Sequence, residues 1–286
     1  MDLTSGPMRL RLAPETGGAI RGWWHENQPL LRETPPGQAD VRDHASFPLI
    51  PFSNRIAHGR FSFGGAVFTL PRDPRDPRHA LHGNALYARW RVVSADQTSA
   101  LLRLAYQPGS PEAPFFPFAY TAWQRYRLSS TGLSLGLCLR NDDQRPFPAG
   151  LGHHLYFPRA AATQLRFLAA GHWENGEDGL PARRSTAWRA HFAKAAPLAG
   201  VALDNGFYGW TRDAEISQPG YGLRLRASAA LAHAVVYVPS GQQYFAFEPV
   251  SHETDAVNRA GMRVLAPGAC LRAMITCQWF AQPRQG

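Results

Sequence analysis

The chain has 286 residues, 44% hydrophobic and 12% aromatic, an ordinary globular composition with material for a large core. Its formal net charge of +9 comes almost entirely from arginines spread along the sequence, with Lys194 the single lysine, so no basic tail or helix face points to a nucleic-acid partner. No run of 18 or more apolar residues and no charged start before an apolar stretch points to a membrane span or an export signal. Cys138, Cys270 and Cys277 are far apart with no C-x-x-C pairing, which reads as reduced thiols of a cytoplasmic protein.

In chain order, short apolar or alternating runs are separated by Gly, Pro, Asn and Asp. The apolar stretch 47–52 leads into Ser53-Asn54-Arg55. Residues 60–70 alternate, and then Arg72-Asp-Pro-Arg-Asp-Pro-Arg78 repeats D-P-R, a surface loop by its prolines. Leu81-His82-Gly83 follows. Runs 119–128, 133–139, 221–226, 233–238 and 244–247 carry the period-two signature of strands. With 26 Gly and 24 Pro, long helices have few places to sit. The expectation is an all-β antiparallel sandwich or barrel. No linker divides the chain, so residues 1–286 are read as one domain.

Five places break this pattern with polar groups: Asn54-Arg55, His82, the pair His153-His154 inside a glycine-aromatic segment, Asp204, and Glu248. Taken singly, Asn54-Arg55 and Asp204-Asn205-Gly206 read equally as turns, and His82 as a loop cap. Adjacent strand residues face opposite ways, which groups His154 with Tyr156 and His153 with Leu155 and Phe157. Glu248 shares a face with Tyr244 and Ala246 on a strand that reads as buried, where an ionised carboxylate costs several kcal/mol unless it is paired. No metal-ligand spacing, phosphate loop or G-x-S-x-G elbow is present, and His252, Glu253 and Asp255 read as a solvated loop. Neither a metal nor a cofactor is expected.

The segments PFSNRIAHGRFSFGG (51–65), HALHG (79–83), PAGLGHHLYF (148–157), DNGFYGW (204–210) and FEPVSHETDAVN (247–258), in this order and spacing, resemble the aldose 1-epimerase (mutarotase) family. The resemblance implies a single large antiparallel β-sandwich of the galactose mutarotase type. It implies an enzyme that interconverts the α and β anomers of a free aldose without a cofactor. Matched position by position, Glu248 is the general base and His154 the general acid, while Arg55, His82, Asp204 and Asn54 bind the sugar. His153 is a neighbour of the acid. Ring opening removes the O1 proton as the ring oxygen receives one. A carboxylate and an imidazolium on opposite sides of the sugar would do this together, with Arg55 or His154 keeping Glu248 ionised. Trp210, Tyr120 and Tyr87 are candidates to cover the sugar's C–H face. The loop 83–90 departs from the family pattern and bears on sugar choice. Two alternatives are a non-catalytic sugar-binding protein on the same fold and a sugar-phosphate mutarotase using Arg89 or Arg159. The sequence does not fix the sugar or the oligomeric state.

Overall fold

The alternating runs become strands, and the computed structural model, which describes residues 1–111, 113–259 and 261–282, is 52% strand and 6% helix. Runs 119–128, 133–139 and 221–226 lie in strands Tyr120–Ser129, Gly132–Asn141 and Tyr221–Ala227. The run 233–238 is strand His233–Val238, and the 244–247 run continues through Glu248 as Tyr244–Val250. Run 60–70 differs. It is a hairpin of Arg60–Phe63 and Ala66–Thr69, because Gly64 and Gly65 take φ of 57° and 80° and turn the chain where alternation alone reads straight on. Among the described residues no helix is long and apolar enough to cross a membrane.

Two antiparallel sheets carry most of the structure, one of 11 strands and one of 9. In the larger sheet, neighbouring strands run Ala19–His25, Ser46–Leu49, Gly152–Pro158, Tyr244–Val250, His233–Val238, Leu203–Tyr208 and Gly171–Asn175. The smaller sheet places Ser99–Tyr106, Tyr120–Ser129, Gly132–Asn141, Cys270–Ala281, Tyr221–Ala227 and Asp213–Gln218 side by side. Leu155, Phe157, Phe245 and Phe247 of the first share one buried cluster with Tyr126, Leu137, Leu225 and Ile275 of the second. Burying each such side chain contributes about 1.5–3 kcal/mol, which holds the sheets face to face as a sandwich.

Trp210 and Tyr120 belong to this core and not to any sugar surface. Trp210 packs edge-on against Phe247 with ring centres 5.2 Å apart, and the Tyr120 hydroxyl donates to Asn84 Oδ1 at 2.6 Å. Its strand turns Tyr120 inward, and Trp210 is buried in the connection after strand Leu203–Tyr208. The outer face of the larger sheet is different. Beside it, Arg55–Ile56 pairs with Ala80–Leu81 in a two-stranded ribbon. Next to that ribbon Gly83, at φ 76°, lets the chain pass so close to Ile50 that a Cβ there would sit 2.1 Å from the Ile50 carbonyl oxygen.

Candidate active site

Strand register assembles the site. Gly152 pairs with Val250 and Leu155 with Phe247, and the same register sets His154 opposite Glu248. His154 also faces Phe47, Glu248 faces Val235, and Val235 faces Gly206. The next row on the same face is Tyr156, Ala246, Tyr237 and Asp204. Three separate sequence segments thereby deliver His154, Glu248 and Asp204 to one surface. Asn54, Arg55 and His82 reach it from the ribbon side. Together they line a cleft of about 210 Å³. A larger groove of about 670 Å³ on the other sheet contains none of them.

At the cleft floor His154 Nε2 lies 3.1 Å from Glu248 Oε1, with side chains only 6% and 3% exposed. Glu248 Oε2 and His154 Nδ1 are buried without a hydrogen-bond partner. Burial pushes the Glu248 carboxyl well above its ordinary value, Asp204 adds to the rise, and Arg55 opposes it. Burial also pushes His154 well below the ordinary histidine value, helped by His82, Arg32 and His153. Both shifts favour neutral groups, a protonated carboxyl beside a neutral imidazole. Arg55 alone does not outweigh desolvation at Glu248, so the ionised form expected from the sequence calls for a further hydrogen-bond donor such as a sugar hydroxyl. The two groups stand side by side on neighbouring strands.

His82 and Asn54 brace each other in an uncommon backbone region, with φ of 64° and 56°. The His82 N–H donates to the Asn54 carbonyl at 3.0 Å, and the Asn54 N–H donates to His82 Nδ1 at 3.2 Å. Burial and then Arg55 push the His82 pKa down to about 3. With Nδ1 accepting, the neutral ring carries its proton on Nε2, a donor for the cleft. Left-handed non-glycine residues cost about 1–3 kcal/mol each and persist where surrounding structure holds them.

Arg55 donates through Nε to Asp76 Oδ2 at 2.7 Å, and its Nη2 lies 3.7 Å from Asp204 Oδ2. The Asp204 carboxyl is pushed up by burial, though its side chain is 44% exposed and cleft water screens much of that push. Asp76 comes from the D-P-R repeat, which is not a plain surface loop. Asp73 and Asp76 are 5% and 7% exposed and point inward, while Arg72, Arg75 and Arg78 face out. Asp73 binds Arg42 and accepts from the Tyr87 hydroxyl at 2.8 Å.

The segment expected to be a solvated loop is a clamp. His252 is 3% exposed, and its Nε2 accepts from the Ser53 N–H at 3.1 Å while Nδ1–H donates to the Glu253 carbonyl at 2.8 Å. Asp255 donates its N–H to the Arg55 carbonyl at 3.0 Å and accepts from the Ala57 N–H at 2.9 Å. Both residues hold the turn that presents Asn54 and Arg55.

The aromatic lining is Phe47, Tyr156 and Tyr237. Tyr156 shares alternation with His154, which is the signal that finds it. Tyr87 does not line this cleft. Arg159 is spent on the carbonyls of Pro239, Leu198 and Val201, and Arg89 is exposed outside the cleft lining. Arg42 and Arg75 do border it, but Asp73, Asp40 and Asp43 bind them. Among the described residues no cluster of three or more His, Cys, Asp or Glu is arranged to hold a metal ion.

Comparison with known proteins agrees with this architecture. The family described as aldose 1-epimerase matches residues 11–275. Uncharacterized protein YphB of Escherichia coli (strain K12) is 30% identical over 282 residues, covering 93% of each chain. A solved Escherichia coli K12 protein superposes with a TM-score of 0.89 at 28% identity over 98% of each chain. A galactose mutarotase-like protein from Clostridium acetobutylicum gives a TM-score of 0.85 at 17% identity, covering 98% of this chain and 95% of its own. The chain belongs to the aldose 1-epimerase family.

Proposed function

We propose that the protein, acting as one domain over residues 1–286, is a mutarotase that interconverts the α and β anomers of a free aldose. The observation that carries this reading is the direct His154–Glu248 contact of 3.1 Å at the floor of a polar cleft, with Glu248 Oε2 unpartnered. The neutral pair holds one exchangeable proton. When a sugar enters, its hydroxyls and Arg55 favour the carboxylate, and the proton crosses the Nε2···Oε1 contact to His154. Glu248 then takes the O1 proton as His154 Nε2–H protonates the ring oxygen, and the C1 to ring-oxygen bond breaks. The open aldehyde rotates about C1–C2. Closure on the other face returns the O1 proton from Glu248 and the ring-oxygen proton to His154. Each general acid or base contributes typically about 10²–10⁴-fold. Arg55, Asp204, Asn54 and the His82 Nε2–H hold the hydroxyls. The proposed chemistry calls for no cofactor.

The free sugar is favoured over a sugar phosphate because the arginines bordering the cleft are already neutralised by Asp73, Asp40, Asp43 and Asp76. We also place the protein in the cytoplasm, since Cys138, Cys270 and Cys277 are free thiols. The test is saturation-transfer NMR of anomer exchange on galactose, glucose, arabinose, xylose, fucose and rhamnose, with Glu248→Gln as control. Exchange accelerated by the wild type alone supports the proposal and names the sugar. Binding without acceleration would establish a sugar-binding protein instead.

A further inference from the structure

The arginines scattered along the sequence gather on the outer face of the smaller sheet. Across neighbouring strands Arg91 faces Arg103, Arg103 faces Trp123, Trp123 faces Cys138 and Cys138 faces Arg272. The adjoining row on that face is Leu101, Arg125, Gly136 and Met274, and alternation adds Arg127 and Arg140. A groove of about 670 Å³ runs here, with Trp123, Arg125, Arg140 and Arg272 in its lining.

The other half of the same face handles its charge differently. There Glu215 sits between Arg166 and Arg224 in the register and Asp213 sits opposite Arg226. Ion pairs of 2.9 Å join Glu215 to Arg166 and Asp213 to Arg224, with 3.2 Å from Asp213 to Arg226. In the groove half Asp142 pairs with Arg140 at 2.5 Å and also feels the charge of Arg103, and the Arg140 guanidinium lies over one face of the Trp123 ring at 5.3 Å. Arg91, Arg103, Arg125, Arg127 and Arg272 have no ion pair among the described residues, and Arg103 Nε is buried without a partner. Like charges directly opposite each other destabilise a sheet, so the Arg91–Arg103 pair, set beside the groove, adds to the positive charge of this face.

We propose that this groove binds a nucleoside phosphate, with its base against Trp123 and its phosphates among Arg125, Arg140 and Arg272. Guanidinium forks match phosphate oxygens in pairs, and an indole face stacks on any base. The groove volume falls within the range of single small-molecule sites, about 300–1,000 Å³. With Trp123 the one aromatic side chain in its lining, it offers a single stacking platform, which fits one nucleotide and not a strand that stacks several bases. This site is separate from the cleft and does not rest on the mutarotase reading.

The test is calorimetric titration of the full chain with ADP, inorganic pyrophosphate, adenosine and single-stranded oligodeoxythymidylate. ADP is expected to bind and to quench tryptophan fluorescence. Arg125→Ala with Arg272→Ala should weaken ADP at least tenfold. Trp123→Ala should weaken ADP and leave pyrophosphate unchanged, and Trp123→Phe should restore ADP. No ADP binding at millimolar concentration overturns the proposal. So does pyrophosphate binding as tightly as ADP with Trp123→Ala silent, or an oligonucleotide that binds more tightly than ADP.

Discussion

His153 and His154 are neighbours in sequence and lie on opposite faces of one strand, in surroundings that differ in one decisive way. His153 points into the core, where both ring nitrogens are engaged. Gln124 Oε1 can only accept, so Nε2–H donates to it at 3.4 Å, and Nδ1 accepts from the Ser46 hydroxyl at 2.5 Å. His154 points into the cleft with Nε2 on Glu248 and Nδ1 unpartnered. Both are held neutral by burial, His153 down to about 3. The same residue type therefore serves packing on one face and proton exchange on the other. What separates them is whether the hydrogen-bonding partners are all in place.

The largest effect should come from breaking the cleft side. His154→Gln, like Glu248→Gln, is expected to lower kcat by about 10²–10⁴-fold with the fold retained, read by anomer-exchange NMR and circular dichroism. His153→Leu should leave kcat within a few-fold. Equal losses from the two histidine variants would erase the distinction between the faces. The pair also sets the pH profile. Its net-neutral form persists from the lowered His154 value to the raised Glu248 value, so kcat/KM should stay flat as pH crosses about 6.5, the ordinary histidine pKa. A break there would contradict the neutral pair.

Stability gives the next effect. His82 and His153 are lowered to about 3 and His252 to about 4, and His154 is lowered as well. Below pH about 6.5 the unfolded chain takes up protons that the folded chain refuses, so stability falls with falling pH by up to about 1.4 kcal/mol per unit for each histidine. Glu248 runs the other way, because its raised folded pKa favours the folded state as pH falls toward the ordinary carboxyl value. Four histidines against two raised carboxyls, Glu248 and the half-exposed Asp204, predict a net drop in urea midpoint between pH 6.5 and about 4.5. His153→Leu should cost about 1–3 kcal/mol at pH 7 through stranded Ser46 and Gln124, and should make the pH slope shallower by one histidine's share.

Much of this was legible in the sequence. Period-two runs located five long strands of the two main sheets and the 60–70 hairpin, and the alternation in 152–158 separated His154 from His153. The buried carboxylate in a strand of aromatics singled out Glu248. What the sequence concealed was inward-facing support carried by loops. Prolines in the D-P-R repeat mark a turn but not the direction in which Asp73 and Asp76 point, since that depends on Arg42 and Arg55 from elsewhere in the chain. His252 and Asp255 look solvated because their partners are backbone groups of residues 53–57 and 253, which carry no sequence signature. Neither does the gathering of arginines on the smaller sheet, which exists only in the pairing register.

Asp76 offers the smallest and most discriminating change, because it tests whether support from the ribbon side acts on binding alone. Its carboxylate holds Arg55 Nε at 2.7 Å and lies beside Arg78 Nε at 3.9 Å, and its own carbonyl accepts from the His79 N–H. Asp76→Asn keeps the size and the backbone contact and removes the charge that fixes the guanidinium. Arg55 should then hold Asp204 and the sugar less well, while the His154–Glu248 contact two strands from Asp204 is left in place. The expected outcome is a rise in KM of about tenfold, equivalent to about 1.4 kcal/mol, with kcat within about twofold. A fall in kcat at unchanged KM would mean that Arg55 acts on the charge of Glu248 during the reaction and not on the sugar. That result would move Arg55 from the binding side of the cleft to the proton-exchange side.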